Sequence, residues 1–203
     1  MKQFLKSVFP LFLLLLPALF LSACDSGPTG AKKDEAAASK TAAATIPDQV
    51  LLAEIDGQPV TGADLKEYLG LFKGEQARLP EKLENRLQLV QHLVDRKLLL
   101  EAAEKAGYAK LDELKKHGSL NPSERETIIL RAFLTDKISR PATPDDAELA
   151  AYREKHPGLD PKKAREALAA AKQKQLFRQL MAELRKGRKI VIQQENLARL
   201  PSS

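Results

Sequence analysis

Residues 81–108 carry the strongest hydrophobic pattern in the chain, with apolar residues at intervals of three and four. This is the period of an α-helix. One row along the predicted helix contains Leu83, Leu87, Val90, Val94 and Leu98. A second row beside it contains Leu89, Leu93 and Leu100. Because a stripe this broad has to be covered from more than one side, we predict a central helix. Gly107 marks its end, since glycine readily adopts the left-handed conformation that terminates helices.

A β-hairpin is predicted ahead of this helix. Residues 50–55 form a short β-type run that is followed by Asp56 and Gly57 and then by a second short run. Asp-Gly between two such runs indicates a tight turn in which both residues have positive φ. Pro59 has no N–H group, which restricts the second strand to the edge of a sheet. Thr61 then begins a helix as its N-cap, with an acid three residues later.

The second half of the chain predicts further helices and one short strand. Residues 121–124 (Asn-Pro-Ser-Glu) and 143–146 (Thr-Pro-Asp-Asp) combine a capping side chain, a proline and first-turn acids, which are typical of helix starts. Residues 162–186 have one apolar helical face and end at Gly187, and residues 189–192 form a short strand. The pattern therefore predicts a mainly α fold.

The first residues are typical of an export signal. Lys2 and Lys6 precede an apolar run at residues 8–21, which is shorter than the roughly 20 residues of a membrane-spanning helix. The run ends in Leu-Ser-Ala-Cys, which resembles the lipobox of bacterial lipoproteins. The resemblance implies cleavage after residue 23 and a covalent acyl lipid on Cys24, the only cofactor we expect. The alternative is a plain signal peptide, or an uncleaved anchor, with an incidental cysteine.

The predicted anchor changes how the charge of the chain is interpreted. Removal of residues 1–23 takes Lys2 and Lys6 from a chain of formal charge +6, leaving +4. A protein outside the cytoplasm is not expected to bind nucleic acid. We predict a lipid-anchored periplasmic protein, and Asp25 resembles the inner-membrane retention signal of enteric lipoproteins. Residues 24–46 lack a dense apolar pattern and are predicted to be a flexible tether with a reach of roughly 25 Å.

Three segments together resemble the SurA- and PrsA-type periplasmic chaperones. They are residues 53–69 (AEIDGQPVTGADLKEYL), 91–108 (QHLVDRKLLLEAAEKAGY) and 142–157 (ATPDDAELAAYREKHP). The resemblance implies a SurA N-terminal-like helical domain over residues 47–194. In that family the closing helix and strand return to the hairpin and make a small three-stranded sheet. Residues 195–203 are predicted to be a disordered tail.

The chain departs from the family where a parvulin isomerase domain would follow. Only residues 156–161 lie at this point before the closing helix begins, and no stretch resembles the parvulin motifs. We therefore expect no isomerase activity and no enzyme. His92, His117 and His156 are far apart and lack the spacing of metal ligands, so no catalytic or metal site is predicted.

The resemblance implies a chaperone that holds unfolded exported polypeptides without ATP. Tyr68, Phe72, Phe133 and Tyr152 are candidates for a client-binding cleft, although each of them would also fit a core. The alternative is an accessory lipoprotein that binds one fixed partner in an envelope assembly. Residues 162–189 contain ten Lys or Arg and two Glu. This basic segment is either a solvated helix face or a contact with anionic lipid beside the anchor.

Overall fold

A computed structural model describes residues 46–112, 114 and 119–201 of the chain. The predicted signal segment, Cys24, Asp25 and most of the predicted tether lie outside the described residues, as does His117. None of the helices in the described part is long and apolar enough to cross a membrane.

The fold begins with the predicted hairpin. Strand β1 (Leu51–Ile55) pairs antiparallel with β2 (Gln58–Thr61). Asp56 and Gly57 have φ values of 51° and 82°, so both turn residues have the positive φ that the Asp-Gly signal requires. Strand β2 lies at the edge of the sheet, where the missing N–H of Pro59 is tolerated.

Within the described ranges, helices with defined bounds and a third strand follow, which confirms the prediction of a mainly helical fold with a small sheet. In chain order they are α1 (Gly62–Leu69), α2 (Leu83–Lys105), α3 (Pro122–Leu134), α4 (Asp146–Lys155), α5 (Pro161–Arg185), β3 (Ile190–Ile192) and α6 (Gln194–Ala198). Helix α3 continues into a π-helical turn at Thr135–Ser139.

The helices start at the residues that the sequence marks. Asn121 and Asp145 each accept a hydrogen bond from the main-chain N–H three residues later, at 2.9 and 2.8 Å. The Thr61 N–H donates to the Asp64 carboxylate at 2.6 Å, completing a capping box at α1. Each bond satisfies a polar group that a helix end leaves open.

Strand β3 brings the far end of the chain back to the hairpin. It pairs antiparallel with β1, giving the strand order β2-β1-β3. The turn contributes as well, because the Asp56 carboxylate accepts the Lys189 N–H at 2.7 Å and pairs with Arg188. A two-stranded hairpin is marginal in water, and the third strand supports it.

Helix α2 is the centre of the core, as its sequence pattern predicts. Val90, Leu93, Val94 and Leu98 are each at most 3% exposed, and Leu87 is half-buried. Strand β1 and helices α1, α3, α5 and α6 all pack against α2.

The structure corrects two predicted boundaries, one at each end of the domain. Residues 195–200 are not a disordered tail, because α6 is helical and Leu197 and Leu200 are 0% and 6% exposed. Ile46 is 1% exposed, so it belongs to the core and not to a tether. Both errors concern short segments in which one or two apolar side chains decide the packing, too few to produce a periodic pattern.

A buried arginine fastens this C-terminal segment to α2. Arg86 is 3% exposed, and its guanidinium donates to the main-chain carbonyls of Leu197 at 3.0 Å and Leu200 at 2.8 Å. It also donates to Pro80 at 2.6 Å and Pro201 at 3.2 Å. The cation thus satisfies carbonyls at the end of α6, where the helix dipole favours positive charge.

Replacement of Arg86 by leucine is expected to lower the free energy of unfolding by about 1–3 kcal/mol or more, because buried carbonyls lose their donor. Urea unfolding measures the loss. Arg78→Leu is the control, since Arg78 pairs with Glu75 at the surface, where ion pairs contribute about 0–1 kcal/mol. Equal losses in the two variants would show that the carbonyl contacts do not hold the C-terminal segment.

Candidate functional site

Three consecutive charged residues of α2 connect it to three different helices. The ion pairs are Asp95 with Arg185 of α5 at 2.6 Å, Arg96 with Glu126 of α3 at 3.1 Å, and Lys97 with Asp64 of α1 at 2.7 Å. Successive residues on a helix point about 100° apart, so a charged triplet reaches separate neighbours. The Asp-Arg-Lys segment therefore adds one charged contact between α2 and each of α1, α3 and α5.

A small depression lies between α1, α2 and α3, where two of these ion pairs form its walls. Its volume is about 80 Å³. We call it the polar depression; it is lined by Asp64, Glu67, Tyr68, Leu71, Leu93, Arg96, Lys97, Leu100, Ser123 and Glu126. Ser123 donates to the Glu67 carboxylate at 2.7 Å, which adds a third polar link between α1 and α3.

A wider depression adjoins the first and has a volume of about 410 Å³. We call it the apolar depression; its lining includes Gly70, Leu71, Leu120, Thr127 and Ile128. Leu71 and Ser123 line both depressions, so the two form one continuous surface, the α1–α3 groove. Leu71 is 38% exposed, which is unusual for a large apolar side chain in the described part of this chain.

The charged side chains that line the polar depression have a net formal charge of −1. Three carboxylates and two cations line it. Burial raises the pKa of Asp64, but the bonds from Lys97 and the Thr61 N–H and the charge of Lys97 outweigh it and hold that pKa below its usual value. Asp64 is therefore ionised near neutral pH.

Tyr68 links the groove to the aromatic side chains predicted from sequence. Its ring packs edge to face against Phe72, with centroids 5.2 Å apart. The residue is 8% exposed, and burial raises the pKa of its hydroxyl. Of the four predicted cleft residues, Tyr68 lines the groove.

The other predicted cleft residues lie elsewhere. Phe133 is 3% exposed and packs edge to face on Tyr108, which makes it a core residue. Tyr152 of α4 is half-buried beside His156, with ring centroids 4.4 Å apart. The four side chains thus fall into three separate ring pairs and do not line one cleft, because they project from different helices in directions that the sequence does not specify.

The sequence pattern missed two of the apolar residues that line the groove. Leu71 follows the end of α1, and Leu120 precedes the start of α3, so neither lies in a periodic segment. A run of apolar residues past a helix end, such as Leu71 and Phe72 after Gly70, was the available signal.

The described residues show no arrangement that would hold a metal ion. No group of three His, Cys, Asp or Glu side chains comes together within the described ranges. His92 is half-buried, and burial lowers its pKa while Asp95 acts in the opposite direction.

The basic segment at residues 162–189 is only partly neutralised. Four of its ten cations pair with carboxylates: Arg165, Lys172, Arg185 and Arg188. The other six are exposed and have no acidic partner among the described residues: Lys162, Lys163, Lys174, Arg178, Lys186 and Lys189.

Comparison with known proteins gives one set of relatives. The chain is 31% identical over 105 residues to proteins of Bordetella pertussis, Bordetella parapertussis and Bordetella bronchiseptica. Each is named a probable parvulin-type peptidyl-prolyl cis-trans isomerase. The match covers 51% of this chain and 38% of each relative. No protein-family model matches the chain, and no solved structure matches it.

These names overturn one prediction. The chain was expected not to be an enzyme, because parvulin motifs are missing after residue 157. The relatives that it matches are named as enzymes. A missing motif is weak evidence against an activity, since function depends on the geometry of a site and not on one sequence signature.

Asp64→Asn is expected to destabilise the protein at pH 7 and to have a smaller effect at pH 3, below the unfolded pKa of Asp64. The folded-state pKa of Asp64 is lowered, so its stabilisation is present above the unfolded value of 3.8 and is lost as the pH falls through the folded value. Urea unfolding at both pH values measures this.

Asp48→Asn is the matched control for that experiment. Asp48 forms an exposed ion pair with Lys66, and its replacement should change stability little at pH 7. An Asp64→Asn effect that is equally large at pH 3 would mean that the carboxylate charge is not what stabilises α1 against α2.

Proposed function

We propose that this protein is a folding factor that binds unfolded polypeptides in the α1–α3 groove. The observation that carries the proposal is the continuity of an apolar depression, with Leu71 exposed, and a polar depression beside it. Relatives named as peptidyl-prolyl isomerases support it, since a protein with that name acts on polypeptide chains. The clients would be exported proteins before they fold.

The groove suits weak binding of many sequences. Leu71, Leu120 and Ile128 offer apolar surface without a deep, shaped pocket, so different apolar side chains can occupy it. Binding of this kind depends on burial of apolar surface and needs no nucleotide. We therefore propose a holdase that works without ATP, and a fixed partner in an envelope assembly remains the alternative occupant.

Catalysis of prolyl cis-trans isomerisation is the second candidate function. The observation that favours it is the name shared by the three relatives, which this chain matches over 38% of their length. A proline-limited refolding assay at several protein concentrations tests it. The refolding rate should rise in proportion to the protein concentration, and should do so when the protein is less abundant than its client. That result would show that this chain catalyses the isomerisation.

We also propose that the protein is held at a membrane by an acyl lipid on Cys24. The exposed cations of α5 would give a second, electrostatic contact with anionic lipid. On an ideal helix Lys163, Lys174 and Arg178 fall within about 60° of one another, and exposed alanines 170 and 171 lie on the same side. Glu183 projects to the opposite side of α5, whereas Glu166 lies about 60° from Lys163, at one edge of this part of the surface.

Leu71→Ser is expected to weaken capture of an aggregating client by roughly fivefold, because it removes about 1 kcal/mol of apolar burial. Light scattering of reduced insulin at a series of protein concentrations measures capture. Val191→Ser is the control, since Val191 is 37% exposed and lies on β3 outside the groove.

The outcome also separates a holdase from a protein with one partner. If the wild-type protein suppresses aggregation of several unrelated clients and only Leu71→Ser is impaired, the groove is the client site. Failure to suppress any client would favour the fixed-partner alternative. Equal impairment by Val191→Ser would move the binding surface away from the groove.

Cys24→Ser is expected to release the protein from the membrane fraction of cells. In that background, Lys174→Glu with Arg178→Glu should weaken binding to phosphatidylglycerol vesicles by roughly 30-fold or more, at about 1 kcal/mol for each basic residue. Lys73→Glu with Lys82→Glu is the charge-matched control at two exposed lysines outside α5. Cys24→Ser protein that stays with the membrane as firmly as the wild type would argue against the lipid anchor.

A further inference from the structure

We propose that the polar depression binds a main-chain carbonyl of the client, with the Tyr68 hydroxyl as the hydrogen-bond donor. This inference rests on the proposed function and specifies how the groove holds an extended segment. The recognised group would be a peptide amide, which every sequence carries, so the contact would add affinity without selecting for sequence.

The first observation is that the Tyr68 hydroxyl has no hydrogen-bond partner among the described residues, whereas the other polar side chains of the depression do. The polar side chains that line the depression bond to one another through Lys97–Asp64, Arg96–Glu126 and Ser123–Glu67. No group among the described residues hydrogen-bonds the Tyr68 hydroxyl. Tyr68 as a whole is only 8% exposed, yet its hydroxyl oxygen is not enclosed by protein atoms. A buried tyrosine usually has a partner for its hydroxyl, and here that partner is left to come from outside.

The second observation is the charge of the lining. Asp64, Glu67 and Glu126 outnumber Arg96 and Lys97 by one, and both cations are already bonded to carboxylates. A free carboxylate or phosphate would meet a net negative surface, so an anionic ligand is disfavoured. A neutral carbonyl oxygen matches a hydroxyl donor in the same place.

The third observation is the arrangement of the two depressions. The polar depression, with a volume of about 80 Å³, has room for a group the size of a peptide unit. The apolar depression adjoins it across Leu71 and Ser123. An extended segment would therefore place one carbonyl beside Tyr68 and an apolar side chain from a neighbouring residue against Leu71 and Ile128.

The protonation state of Tyr68 is consistent with a donor role. Burial raises the pKa of the hydroxyl above its ordinary value of 10.0, and Asp95 raises it further, while Arg96 lowers it by less than burial raises it. The hydroxyl therefore keeps its proton at neutral pH and can donate it to a carbonyl oxygen.

Tyr68→Phe tests the proposal, because it removes the hydroxyl and keeps the ring that packs on Phe72. Binding of fluorescently labelled, reduced and carboxymethylated α-lactalbumin, a permanently unfolded polypeptide, is followed by anisotropy. The dissociation constant is expected to rise roughly three- to tenfold, as for the loss of one hydrogen bond. Tyr152→Phe, which removes a hydroxyl on α4 outside the groove, should bind as the wild type does.

A second measurement reports the hydrogen bond itself. Analogues of one apolar peptide, each with a single ester in place of an amide, present a weaker carbonyl acceptor at successive positions. Wild-type protein should bind one analogue several-fold more weakly than the parent peptide, and Tyr68→Phe should lose that discrimination. The same discrimination in both proteins would overturn the proposal.

The variants also separate the carbonyl contact at Tyr68 from the broader proposal that the α1–α3 groove binds clients. Normal binding by Tyr68→Phe together with weak binding by Leu71→Ser would reject the carbonyl contact and leave the client groove intact. Normal binding by both variants would reject the groove as the client site. A melting temperature that is unchanged in Tyr68→Phe excludes unfolding as the cause of weaker binding.

Discussion

The apolar surface of α2 has to be covered on several sides, and this requirement organises the fold. A hairpin and a short helix from the start of the domain cover one part, and α3 and α5 cover others. The remainder is covered by the C-terminal segment, which returns as β3 and α6. Since segments far apart in sequence meet on one helix, the domain depends on contacts between its first and last residues.

Charged groups then favour particular orientations of the helices on α2, which apolar contact alone does not specify. Burial of apolar surface has no preferred direction, whereas an ion pair joins two particular atoms. Asp95, Arg96 and Lys97 each engage a different helix, and Arg86 engages the carbonyls at the end of α6. The Asp-Arg-Lys segment thus has a structural explanation in this protein.

The α1–α3 groove is a consequence of that arrangement. Two of the three ion pairs line the depression between α1 and α3, and the loop after α1 presents Leu71 at its rim. Binding of unfolded chains and isomerisation of prolyl bonds both require a surface that accepts extended main chain with varied side chains. The proposed contact with Tyr68 would supply the part of that recognition which does not depend on sequence.

Periodicity and turn chemistry determined the elements of this protein, and only the tertiary structure determined its groove. The spacing of Val90, Val94 and Leu98, the Asp-Gly turn and the caps at Asn121 and Asp145 act between near neighbours in the chain, so they could be predicted from sequence. The role of Arg86 and the burial of Leu197 and Leu200 depend on partners more than 100 residues away in sequence. The same reason explains why Phe133 lies in the core and Leu71 at a rim: the direction of a side chain relative to other helices is fixed only when those helices pack.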